Sequence, residues 1–259
     1  EIRTGYNGNG DREDILFATP VPDGPSGTTG FNVHFTMSSD SESYINLRAV
    51  NTFTGPITLN QPNLSATGVF VVGGERYWIA FGNKFTVPGS GRLGPSGVYP
   101  GNVSLANRTV LDFNTSANQT MSGVISGAGS VRKEVAGSTL TLNGANTYTG
   151  DTTVDAGTLV LANGGSMSFA ITDTTNNKVT GVGSATLNGT FTVDTSAVTV
   201  TSGSWTLVDT STKTFGGTFG LTGFSGPSGN LYTKTTGGQT WTFNKSAGAQ
   251  RMLNLVDTS

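Results

Sequence analysis

The sequence predicts an all-β chain, a parallel β-solenoid (β-helix) followed by an antiparallel β cap or small sandwich. Three observations point there. Gly reaches 38 of 259 residues while charged residues make up only 12%, against roughly 25% in an ordinary soluble domain. Thr, Ser and Asn supply the remaining polarity, and β-branched and hydroxyl side chains suit stacked strands better than helices. The apolar runs are short and end at Gly, Asn, Pro or Ser, too close together for wide hairpins and suited to the faces of a coil. Finally, NTFTGPITLN at 51–60 aligns without a gap with NTYTGDTTVD at 146–155, the self-similarity that a coil repeat produces.

Three regions follow in order. Residues 1–50 form an N-terminal extended or β segment. Its runs Ile15–Ala18 and Phe31–Phe35 are broken by Pro20, Pro22 and Pro25, a spacer that would let an N-terminal strand complete a neighbouring subunit. Asn7, Asn9, Asp11 and Asp14 alternate oxygen-bearing side chains with glycines and an arginine, a candidate calcium loop without the bidentate Glu that closes the full pattern. A polar turn before Ile15 is the plainer reading. Residues 51–165 form the solenoid, with rungs at 68–72, 103–105, 109–113, 123–125, 138–142, 152–154 and 158–161. Asn51, Gly55, Asn146 and Gly150 mark its repeated corner, where Asn and Gly accept left-handed backbone. Residues 166–259 carry longer alternating runs, which read as antiparallel strands of a β-rich cap domain.

The chemistry is sparse. There is no cysteine, so no disulfide, thiolate ligand or thiol nucleophile. His34 is the single histidine and lacks the partners that a triad needs. Asp151 and Asp155 sit in one copy of the repeat where Pro56 and Asn60 stand in the other, which suits corners better than a catalytic pair. An enzyme is not expected, and no cofactor beyond the candidate calcium. The net charge of −2 leaves no electrostatic footprint for nucleic acid, and Arg132-Lys133 reads as a solvated turn. No apolar run is long enough for a transmembrane helix. Glu1-Ile2-Arg3-Thr4-Gly5 is not a secretory leader and reads as a mature or trimmed start. Tyr77, Trp78, Trp205 and Trp241 are candidate sugar-stacking or interface aromatics. The alternation of Trp205, Phe219, Phe224, Trp241 and Phe243 along strands also fits a core.

GAGSVRK at 127–133, STLTLNGANTYTG at 138–150 and TTVDAGTLVL at 152–161 together closely resemble the autotransporter-associated β-strand repeat of bacterial passenger regions. The part after 166 is similar to the segment that follows such repeats in exported proteins of Verrucomicrobia and Planctomycetes. It lacks the length and aromatic girdles of an outer-membrane translocator barrel, so the shared repeat does not imply self-export. The resemblance implies an exported, extracellular or cell-surface structural protein, a subunit of a self-assembling fibre or layer with an adhesive role. Its partners would be further copies, through solenoid ends or strand exchange. A carbohydrate-binding module for a surface polysaccharide is the alternative.

Overall fold

The computed structural model describes residues 2–4, 15–23, 30–35, 42–61, 66–79, 83–246 and 250–256. The strands follow one another in coils, each coil laying strands on up to three faces. The first coil holds β1 (Ile2–Thr4) and β2 (Ile15–Phe17), and the second β3 (Phe31–Phe35), β4 (Glu42–Leu47) and β5 (Val50–Asn51). The third holds β6 (Ile57–Asn60) and β7 (Thr67–Val72), then a hairpin of β8 (Glu75–Ile79) and β9 (Asn83–Val87), then β10 (Arg92–Leu93) and β11 (Val98–Tyr99). Three regular coils come next: β12 (Val103–Leu105), β13 (Thr109–Phe113) and β14 (Gln119–Met121); β15 (Ile125–Gly127), β16 (Ser130–Lys133) and β17 (Thr139–Leu142); β18 (Ala145–Asn146), β19 (Thr152–Val154) and β20 (Thr158–Leu161). The last coils are β21 (Ser166–Thr172) with β22 (Val179–Leu187), β23 (Thr190–Ala197) with β24 (Gly203–Phe215), and β25 (Gly220–Leu221). A meander of β26 (Ser225–Ser228), β27 (Leu231–Thr236), β28 (Gln239–Asn244) and β29 (Gln250–Val256) closes the described chain.

Pairing between coils is parallel. On the first face β3, β6, β12 and β15 stack so that Phe31, Ile57, Val103 and Ile125 align. On the second, β4, β7, β13, β16 and β19 align Ile45, Phe70, Leu111, Val131 and Thr152. On the third, β11, β14, β17 and β20 align Tyr99, Met121, Leu142 and Leu161. The result is a curled, mostly parallel sheet wrapping 263° about an axis, a solenoid-like stack with a small antiparallel cap. Alternate residues of each short strand point inward, so Val-Ser-Leu at 103–105 is buried, exposed, buried.

Parallel pairing runs unbroken across residues 50 and 165, because β3 and β4 already stack on β6 and β7, and β21 stacks on β18. The expectation of antiparallel strands from 166 is therefore corrected. β21 pairs with β23, and β22 with β24, in parallel register. β22, and β24 stacked on it, are longer because β22 crosses from the second face to the third, pairing with both β19 and β20, through a register shift between Gly181 and Ser184. Among the described strands, antiparallel pairing joins the members of the meander, attached to β24 through β29, and the two strands of the β8–β9 hairpin, with one further antiparallel bridge between Ile171 and Asn176.

The interior changes along the axis. Hydrogen bonds between successive coils link residues 22 apart at Asn102–Val124 and 21 apart at Asn118–Thr139, but 30 apart at Val21–Asn51 and at Asn188–Thr218. Longer coils enclose more volume. Rings fill it: Phe31, Phe53 and Tyr99 pack at 4.6 and 5.5 Å near one end, and Phe169, Phe191 and Phe219 at 4.6 and 5.0 Å near the other. The shorter central coils close over buried Met121, Leu140 and Leu159, as interior packing at crystal-like density demands.

Candidate functional site

The corner residues show how the chain turns. Asn146 is 1% exposed; its Oδ1 accepts the Ile125 N–H at 3.0 Å, and its Nδ2 donates to the Gly144 and Ser166 carbonyls at 2.9 and 3.1 Å. Asn51, also buried, repeats the pattern: Oδ1 accepts the Val21 N–H at 3.0 Å and Nδ2 donates to the Ala49 carbonyl at 2.7 Å. Each side chain replaces backbone partners that the bend removes. The two copies nevertheless occupy different corners. Ile57 stacks beneath Val103 and Ile125 on the first face, whereas Thr152 follows Val131 on the second.

Gly55 belongs to a ladder that the aligned copies do not reveal. A Cβ on Gly101, Gly123 or Gly144 would lie 2.5, 2.2 or 2.1 Å from the carbonyl oxygen of Gly55, Gly101 or Gly123 respectively, closer than any side chain tolerates. Gly189 meets Gly165 in the same way. Gly150 sits apart from this series, over the Gly129 carbonyl. The spacing of these glycines in the sequence was the signal for the coil length.

The charged groups gather on the outer side of the second face. The β8–β9 hairpin folds across it, locked by Asn46, whose Oδ1 accepts the Arg76 N–H at 2.8 Å and whose Nδ2 donates to the Arg76 carbonyl at 3.0 Å. The Arg76 guanidinium reaches Asp112 at 2.7 Å and pairs with Glu134. Arg132 bridges Glu134 at 3.1 Å and Asp155 at 2.7 Å. Asp112 is fully buried, and burial, reinforced by Glu134, pushes its carboxyl up to about 7. Tyr44, Val69 and Val71 form a separate buried apolar cluster on this face.

Lys133 corrects the reading of Arg132-Lys133 as a solvated turn. It stands in register with Phe113 and Val154, inside the coil, 1% exposed. Its Nζ donates to the Val135 carbonyl at 2.5 Å, and burial pushes the ammonium down to about 8. Arg132 is held in ion pairs.

The remaining candidates fall as follows. Trp205 and Trp241 are 5% and 2% exposed, with ring centroids 5.5 Å apart, and the Trp205 indole donates to the Thr172 carbonyl at 2.9 Å. They are core residues, which withdraws them from a surface sugar platform. The side chains of Tyr77 and Trp78, and all of Asn7, Asn9, Asp11 and Asp14, lie outside the described residues. Asp151 accepts the Lys178 N–H at 2.9 Å through Oδ1 and Asp155 binds Arg132, so each carboxylate has a partner in the stack. Among the described residues there is no group of three or more His, Cys, Asp or Glu placed to hold a metal ion, and no helix long and apolar enough to cross a membrane.

No curated protein matches the chain. The family model described as the passenger-associated-transport-repeat matches residues 137–161, and that segment runs from β17 through β18 and β19 to β20, one full turn of the coil.

Proposed function

We propose that this chain is an extracellular structural protein, a stiff β-solenoid segment of an exported bacterial surface protein of the kind found in Verrucomicrobia and Planctomycetes. The observation that carries this reading is the coincidence of the matched repeat with one turn of an otherwise uninterrupted parallel stack. An exterior of hydroxyls and amides with few ions supports it. In this reading, copies associate through strand edges of the stack that lack a partner strand, because such edges accept further strands; the meander already occupies the edge of β24. Electron microscopy across a concentration series tests the proposal. Rods that join end to end as concentration rises are expected; particles of one fixed length at every concentration would overturn the assembly step.

A further inference from the structure

The third face carries two columns of small side chains in strict register. The first is Thr120, Thr141, Val160, Thr186 and Thr214; the second, two residues away along the strands, is Thr139, Thr158, Ser184 and Thr212. Between them Leu140, Leu159 and Ala185 point inward and are buried, and Lys213, next in that row, is half-buried with its Nζ donating to the Thr210 carbonyl at 3.1 Å, so the columns face outward. Stacked strands repeat about every 4.8 Å, and alternate residues along a strand about every 6.7 Å, which makes the face a two-dimensional array of hydroxyls and methyls.

Charge sets the kind of partner. Neither column holds an ionisable group, while the neighbouring second face gathers Arg76, Asp112, Arg132, Glu134 and Asp155. An acidic or basic polymer gains nothing on the third face. The columns also hold no aromatic ring or side-chain amide, the groups that orient a sugar. What they do offer is periodicity. Each hydroxyl can donate and accept, the adjoining methyls exclude bulk water, and the packed interior holds the array rigid beforehand, so little ordering is left to occur on contact.

We propose that this face binds ice: its neutral, regularly spaced hydroxyls and methyls match an uncharged partner with a lattice of its own. The inference does not rest on the structural reading above and can fail without it. Slow freezing of a dilute solution of the protein beside a non-binding reference protein tests it. The wild type should enter the ice fraction and the double variant Thr141→Lys/Thr186→Lys should stay in the liquid with the reference. Thr153→Lys, on the second face, should enter as the wild type does. Circular dichroism and melting temperatures establish that each variant is folded. Exclusion of the wild type from ice, or equal entry of the double variant, overturns the proposal. Sedimentation with crystalline cellulose combined with exclusion from ice also overturns it, in favour of a neutral glycan.

Discussion

At the scale of single residues, side chains that replace backbone partners carry more than their size suggests. Asn146 satisfies one N–H and two carbonyls from three coils while almost fully buried. Asn146→Ala strands those groups away from water and should cost about 2–4 kcal/mol in denaturant unfolding. Asn102, exposed and accepting a single N–H from Val124, should cost about 1 kcal/mol or less on the same change; equal losses would show that burial does not set the penalty. Asp112 yields a pH signature. Its folded pKa, about 7, lies above the ordinary 3.8, so between these values the folded state holds a proton that the unfolded state has lost. Stability should therefore fall as pH rises from about 4 to about 7, and Asp112→Asn should flatten that part of a melting-temperature profile. Lys133 acts at the other end. Its folded pKa of about 8 lies below 10.5, so the unfolded chain binds more protons in that window and stability should rise with pH across it.

At the scale of elements, the β8–β9 hairpin interrupts the coil, and its attachment is ionic as well as backbone-mediated. Arg76 stands between Asp112 and Glu134, so Arg76→Ala leaves both acidic side chains without the guanidinium that joins them in a largely buried site. A loss of about 3–5 kcal/mol is expected, read as faster proteolysis within 75–87. Arg76→Met with Asp112→Leu removes both partners and should recover part of the loss; a double variant no better than Arg76→Ala would exclude this account. None of this attachment was legible in the sequence, because Arg76 and Asp112 meet only after the third coil is complete. The stack itself was legible: turn residues bounding short Thr, Val and Leu runs located β13, β17, β19 and β20. The direction of pairing after 166 was not, since alternation along β21 and β22 reports that one side is buried and says nothing about which way the neighbour runs. Lys133 escaped notice for a related reason. Arg and Lys side by side read as solvent-facing, yet adjacent strand residues face opposite ways, and one of the two must point inward.

At the scale of the whole molecule, the pairing direction changes where the meander meets the parallel stack. A parallel stack has no intrinsic length; each coil leaves an edge for the next, and only a change of pairing stops it. β29 makes that change by running antiparallel to Gly203–Val208 of β24. The meander also plugs the interior: Trp241 stacks on Trp205, Phe243 and Tyr232 pack against Phe219, and the Tyr232 hydroxyl donates to the Phe219 carbonyl at 2.9 Å. Removing residues 225–256 uncovers Trp205, Phe219 and the edge of β24 together. Each aromatic buries roughly 150–250 Å², so the new apolar surface approaches the few hundred Å² at which a monomer begins to associate, beside backbone groups that seek a strand. The truncated chain should therefore assemble at a lower concentration than the intact one, as measured by light scattering. Placing Lys at Thr206, on the uncovered edge, should raise that concentration again, because a charge on an edge strand opposes pairing. Identical scattering curves for the intact and truncated chains would show that the meander does not limit growth.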